Sequence, residues 1–254
     1  MLMPMHFEDG FPIIGENGKV PEVVTVLDTG YQYAAINGSD DFFYKPDENG
    51  QITLKNFWEF NHQQMDDFWS VTENPGHLRL HSAKLSPTLF QAYNTLTQRT
   101  VGPKCAAEVT LRFAHMKNGD VAGISTFIGN YGFTGVKKEN DQFYLIMMGR
   151  PAKDTTVFGQ FEYENPGLEY ARVPIYGESI CLRAEADFTD KRDLSSFYYK
   201  EGDNWQKLGI DQPMYFKMDL FTGCRFGLFY YSTEQTGGYV DFSKFQFIWP
   251  EYVY

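Results

Sequence analysis

The chain has 254 residues, a formal net charge of −11 at pH 7 and 17% aromatic residues, with 23 Phe and 17 Tyr. That length can bury one large core or two smaller ones, and the acidic balance excludes a polyanionic partner such as nucleic acid, which needs cationic groups to release counterions. No run approaches the roughly 18 apolar residues of a membrane-spanning helix.

Residues 1–38 are dense in Gly, Pro and acids, with only short apolar runs such as Pro12-Ile13-Ile14 and Val23-Val24-Thr25-Val26. They read as a tail or linker with one or two edge strands, without a core of their own. The opening MLMPMHFEDG lacks a basic region followed by an apolar one, so it is no export signal; a cytoplasmic location is expected if Met1 is the natural start.

From Ser39 to Tyr254 the pattern changes to short apolar or alternating runs. In chain order these are LRLHS at 78–82, CAAEVTLRF at 105–113, AGISTFIG at 122–129, FYLIMMG at 143–149 and TVFGQFEYE at 156–164. ICLRAEADF at 180–188, SSFYYKEG at 195–202, CRFGLFYYS at 224–232 and YVDFSKFQFIW at 239–249 follow. Turn signals separate them, among them Asn74-Pro75-Gly76, Lys117-Asn118-Gly119-Asp120 and Glu201-Gly202-Asp203-Asn204, which supply positive or preset φ where the chain reverses. Only 85–96 and 212–220 could hold a helical turn. The expected fold is all-β, about ten strands in a two-sheet antiparallel sandwich of jelly-roll type.

Period 2 in the run 182–187 puts Arg183, Glu185 and Asp187 on one face and Leu182, Ala184 and Ala186 on the other. One face of that strand should be wet. Cys105, Cys181 and Cys224, an odd set without CxxC spacing, indicate neither a zinc site nor a complete disulfide framework and read as core thiols. No GxSxG, HExxH, P-loop or dinucleotide fingerprint is present. His77, His81 and His115 lack partners at metal-ligand spacing.

Trp58-Glu59-Phe60-Asn61-His62, then Phe68-Trp69-Ser70-Val71-Thr72-Glu73-Asn74-Pro75-Gly76-His77-Leu78-Arg79-Leu80, then Asn94-Thr95-Leu96-Thr97-Gln98-Arg99-Thr100 with Gly102-Pro103, form an ordered series. Met116 to Gly123, Asn130-Tyr131-Gly132 and Gly135-Val136 continue it. The series resembles the C-terminal concanavalin A-like sandwich of glycoside hydrolase family 43 enzymes of the β-xylosidase and α-L-arabinofuranosidase type. The segment Met5 to Gly15 resembles the end of that family's catalytic five-bladed propeller. Two positions depart from the family pattern: Asn74 stands where Arg is usual, and Phe60 where Trp is usual.

The resemblance implies an accessory module for hydrolysis of xylosides or arabinosides, docked on a catalytic propeller that carries the acid, the base and the acid-tuning carboxylate. In the inverting reaction acid and base stand roughly 6.5–9.5 Å apart to admit a water, and no residue of this chain matches them; Glu8 and Asp9 read as solvated turn residues. An independent carbohydrate-binding module and a self-sufficient glycosidase are the alternatives.

Trp58, Asn61, His62, Gln98 and Arg99 supply the ring, amide and guanidinium types that meet sugar hydroxyls. Read otherwise, Trp58 and Trp69 are core residues while Arg79 and Arg99 fix loops. Sandwiches of this class often join first and last strands through one hard cation, so Asp41 and Asp241 are candidate ligands of a structural calcium ion, the alternative being solvent-facing edge residues. The resemblance also implies a loop reaching the active-site mouth; Phe221 in Asp219-Leu220-Phe221-Thr222-Gly223 is either that lid residue or a hairpin residue folded into its own core.

Overall fold

Aromatic and β-branched runs, cut by glycine and asparagine turns, leave the backbone little choice but antiparallel pairing. The computed structural model describes residues 3–24, 30–150, 164–216 and 223–249. They belong to two units, Met1–Ala34 and Ala35–Tyr254.

In the first unit, β1 (Met5–Glu8) and β2 (Phe11–Ile14) make a hairpin. Its turn is Asp9-Gly10, both at positive φ (47° and 83°), as a two-residue turn matching strand twist requires. The register sets Met5 opposite Ile14 and Phe7 opposite Pro12, so one face is apolar throughout. All four of those residues are exposed, with Phe7 at 65%.

The second unit contains β3 (Glu59–Phe60), β4 (Trp69–Ser70), β5 (Leu78–His81), β6 (Leu96–Arg99), β7 (Lys104–Arg112), β8 (Asp120–Phe127), β9 (Gly132–Glu139) and β10 (Gln142–Gly149). After these come β11 (Leu168–Ile175), β12 (Ser179–Asp187), β13 (Leu194–Glu201), β14 (Asn204–Lys207), β15 (Gln212–Pro213), β16 (Arg225–Ser232) and β17 (Tyr239–Ile248). Among the described residues they form two antiparallel sheets, one ordered β11-β10-β9-β8-β16-β6-β3, the other β14-β13-β12-β7-β17-β5-β4 with β15 beside β13.

The runs expected as strands are found as β5, β7, β8, β10, β12, β13, β16 and β17, except that 156–164 lies almost wholly outside the described residues. The span 85–96 holds one 3-10 turn at Leu89–Gln91 before β6 begins. Of 212–220, Gln212–Pro213 is strand instead of helix, pairing with β13, and 217–220 lies outside the described residues.

Strands β9 and β11 escape the alternation rule for identifiable reasons. In β9 glycine replaces side chains where the backbones come closest: Gly135 lies opposite Gly123, and a Cβ on Gly123 would sit 2.6 Å from Gly135 Cα. In β11, Pro174 removes a ladder donor, and β11 is accordingly an edge strand.

The two sheets bury different amounts of themselves. Between them lies the main core, where Phe226, Leu228 and Tyr230 of β16 join Leu145 and Met147 of β10. The intervening residues Phe229, Tyr231 and Ile146 enter a second apolar cluster with Phe90, Tyr131 and Phe133 on the outer face of the first sheet. Strands β8 and β16 are therefore buried on both sides and read as near-continuous apolar runs. Strand β12 keeps strict alternation, burying Leu182, Ala184 and Ala186 while Arg183, Glu185 and Asp187 stay partly exposed.

Asp40 fastens the leading segment to the closing strand. Its N–H donates to Phe245 O at 2.9 Å, and Phe247 N donates to Ser39 Oγ at 3.0 Å. Phe245 is free to accept because β17 shifts register between Ser243 and Gln246, with Lys244 at φ 53°, the signature of a bulge. The buried Asp40 carboxylate accepts from Phe42 N (2.9 Å), Trp58 Nε1 (2.8 Å) and the Tyr44 hydroxyl, and Lys55 Nζ lies 3.1 Å away. Burial, and next the hydrogen bond to Asp40, push the Tyr44 phenol above its ordinary pKa, so it remains a donor.

Two stability tests follow from this geometry. Asp40→Ala orphans the Trp58 and Tyr44 donors and the Lys55 charge, so urea unfolding should show a loss of roughly 3–5 kcal/mol, whereas Asp41→Ala next door should stay within about 0.5 kcal/mol. Gly135→Ala should lower the urea midpoint by the equivalent of roughly 1–3 kcal/mol, because the added methyl meets the β8 backbone; an unchanged midpoint would contradict the close approach of β8 and β9.

Candidate functional site

The aromatic and amide residues that sequence reading groups as a sugar site do not converge on one pocket. Trp58 is buried among Phe42, Phe57 and Phe245, the last 4.8 Å between ring centroids. Gln98 is fully buried and spends its whole amide on one loop residue, accepting from Gly38 N at 2.7 Å and donating to Gly38 O at 3.0 Å. Asn94 does the same for Met65, at 2.9 and 3.0 Å. Each amide substitutes for a strand edge, satisfying a loop's N–H and C=O together.

The other members make separate contacts. The Asn61 N–H donates to Thr95 O at 3.0 Å, while the His62 ring nitrogen Nε2 lies 2.6 Å from Phe90 O. Arg99 is exposed and lies 3.4 Å from Glu59, which also takes Arg225 at 2.5 Å. The Arg225 hydrogen bond is the main reason the Glu59 carboxyl falls below its ordinary value. These residues fix loops and edges.

Asp41 and Asp241 serve separate neighbourhoods. Asp41 is exposed and accepts from Phe43 N at 3.3 Å. Both oxygens of buried Asp241 are occupied by Arg79 as a fork, Nε at 2.7 Å and Nη2 at 2.9 Å, and Asn74 adds a third donor at 2.9 Å. Burial alone would raise the Asp241 pKa, but these donors outweigh it and hold the carboxyl below its ordinary value. A guanidinium thus supplies the countercharge that calcium would bring, and no group of three or more His, Cys, Asp or Glu is placed for a metal among the described residues. This donor set does not fit a calcium ion at Asp241.

The departures find local uses: Asn74 is the extra donor to Asp241, and Phe60 packs on Trp69 at 5.1 Å. His81 lies 3.1 Å from Glu73, and His115 stacks on Tyr239 at 4.4 Å. Cys105 and Cys224 are buried thiols, Cys181 is partly buried, and burial pushes the Cys105 thiol up to about 11. Phe221 lies outside the described residues.

What sequence grouping misses is a cleft of about 390 Å³ on the outer face of the second sheet. One cross-strand row there runs Gln246, Glu108, Arg183, Tyr198, Lys207 from β17 to β14. The next row, Ile248, Ala106, Glu185, Ser196, is low at Ala106 and Ser196, with Glu185 between them. Beyond it stand Lys104 and Asp187, paired at 2.9 Å. Burial would raise the Asp187 pKa, yet the hydrogen bonds from Lys104 and Thr189 bring it down to about 2. The sequence trace is the alternation of 182–187; β13 and β14, which follow directly, supply one side of the rows, and β7 and β17, distant along the chain, supply the other.

With the geometry in hand, the relatives can be compared. The model of the β-xylosidase C-terminal concanavalin A-like domain matches residues 47–248. A β-xylosidase of Formosa agariphila is 27% identical over 276 aligned positions, which take in 97% of this chain and 42% of that protein. Among solved structures, a bifunctional GH43-CE protein of Bacteroides eggerthii superposes with TM-score 0.82 at 35% identity, covering 98% of this chain and 30% of that one. A GH43 glycoside hydrolase engineered to display both endo-xylanase and exo-arabinofuranosidase activity gives TM-score 0.80 at 26% identity, covering 97% and 48%. The chain spans less than half the length of each of these relatives. It belongs to the concanavalin A-like C-terminal domain family of the glycoside hydrolase family 43 β-xylosidases.

Proposed function

We propose that this chain is the accessory sandwich of a family 43 glycoside hydrolase acting on xylosides or arabinosides, and that it works with a catalytic propeller carrying the reactive carboxylates. The observation that carries the reading is the β1–β2 hairpin. It presents Met5, Phe7, Pro12 and Ile14 on one face, all exposed, and a lone two-stranded hairpin is marginal in water. Such a face calls for a sheet or blade to cover it, and the segment resembles the last strands of the family's propeller. The relatives named above, a β-xylosidase and a xylanase–arabinofuranosidase, support the substrate class.

The sandwich supplies no general acid–base pair of its own in this reading. Asp120, whose carboxyl pKa burial raises, is enclosed in the interior and accepts from Tyr230, Ser232 and Lys117 N, while three carboxylates held below their ordinary values are engaged with cations: Asp241 with Arg79, Asp187 with Lys104, and Glu139, brought down to about 2 chiefly by hydrogen bonds from Arg172 and then Lys137. A glycosidase acid needs a raised pKa near neutrality, and ion pairing shifts these the other way.

The purified chain at high concentration should therefore leave nitrophenyl β-xyloside and nitrophenyl α-arabinofuranoside unhydrolysed. When it is mixed with a family 43 propeller made as a separate polypeptide, the two should co-elute. Phe7→Asp should weaken that association at least tenfold without moving the melting temperature of the sandwich. Turnover that follows the chain through purification, or association indifferent to Phe7→Asp, would overturn the reading.

A further inference from the structure

We propose that the cleft on the outer face of the second sheet, where the Arg183–Tyr198–Lys207 row faces the Lys104–Asp187 pair across Ala106 and Ser196, binds a short neutral oligosaccharide. The neutral, hydroxyl-rich class comes from the cleft itself; the choice of a xylan backbone fragment rests on the proposed function.

The cleft is built on paired strands, which hold side chains more rigidly than loops do. Its volume of about 390 Å³ lies within the range of small-ligand sites. Long side chains raise two walls, and Ala106 and Ser196 lie between them. Glu185 leans onto the first wall through Arg183 Nη2 at 2.7 Å.

Its charges come already paired. Arg183 Nη1 meets Glu108 at 3.0 Å, Lys207 meets Asp211 at 2.6 Å, and Ser196 Oγ donates to Asp211 at 2.6 Å. An ionic ligand would have to break these pairs, and an apolar one would strip water from them with no return. A hydroxyl can accept from the cation and donate to the carboxylate of the same pair without separating them. Vicinal sugar hydroxyls meet that pattern two at a time.

A ring for the apolar face of a sugar is also present. Trp205 shares the face of Tyr198 and Lys207, being opposite Lys200 in register, and it is partly exposed. The Arg183 guanidinium lies 5.7 Å from its ring centroid, which holds the indole beside the first wall. Among the described residues the outer face of the first sheet is occupied by the second apolar cluster.

Xylotetraose titrated into the full 254-residue chain should give saturable binding, read by calorimetry and by a change in tryptophan fluorescence. Ser196→Tyr, which fills the floor, and Lys207→Ala, at the open end, should each weaken binding at least tenfold while the urea midpoint stays near that of the parent. Trp205→Phe should remove the fluorescence response. No saturable binding by the parent chain, or undiminished binding by both folded cleft variants, would overturn the assignment. Phe7→Asp should lose propeller docking yet bind xylotetraose as the parent does; a parent chain that binds xylotetraose without associating with a propeller would fell only the accessory reading, and one that associates without binding the sugar only the cleft.

Discussion

A single buried residue, Asp40, joins the beginning of the sandwich to its end: its backbone N–H bonds to β17 while its carboxylate gathers the leading segment. Removed from water, that carboxylate is tolerable only because every lone pair finds a donor: Phe42 N, Trp58 Nε1, the Tyr44 hydroxyl and Lys55 Nζ. Those donors come from four places along the first stretch of the domain, and the Asp40 N–H joins them to Phe245 in β17. Fully buried Phe42 sits at φ 57°, a conformation that costs a phenylalanine free energy; the Asx-type bond from its own N–H to Asp40 holds it there. Trp58 completes the arrangement, with its ring in the core and its N–H on the carboxylate.

Once the ends are joined, the difference between the sheets follows. The first sheet carries apolar side chains on both faces, so its outer side must be covered, and Phe90 from the Leu89–Gln91 turn packs there against Phe127 and Tyr131. The second sheet alternates, with cations and acids set opposite one another on its outer face, as at Glu108–Arg183 and Lys104–Asp187. Opposite charges in cross-strand register stabilise the sheet locally and keep a polar surface solvated. One sheet is thus a structural layer, and the other is free to present chemistry.

The strand pattern was legible because burial on one or two faces leaves a period in the sequence, and β12 is the clearest case. What could not be read is where polar side chains go. Sequence reasoning expected an acid to join first and last strands and chose Asp41, through a cation shared with Asp241. The acid whose backbone bonds to the closing strand is its neighbour Asp40, through its N–H to Phe245 O. With a side-chain period of two, one residue is the whole distance between core and solvent, and no local signal told Asp40 from Asp41. Arg79, partner of Asp241, lies 162 positions away, so that pairing is a property of the fold and of no local pattern.

The same logic explains why the most recognisable residues are poor guides to ligand contact. Asn94 and Gln98 are chemically suited to sugars, yet their amides are consumed in pairing with Met65 and Gly38. A buried amide has two donors and an acceptor to satisfy, and a loop residue with free N–H and C=O meets most of that demand at once. Such a residue resists substitution for architectural reasons, because an apolar side chain would strand two backbone groups. The proposed cleft lies instead on the wet face of a strand ladder. There the residues are ordinary in type, and only their cross-strand register, Glu108 to Arg183 to Tyr198 to Lys207, makes a site of them.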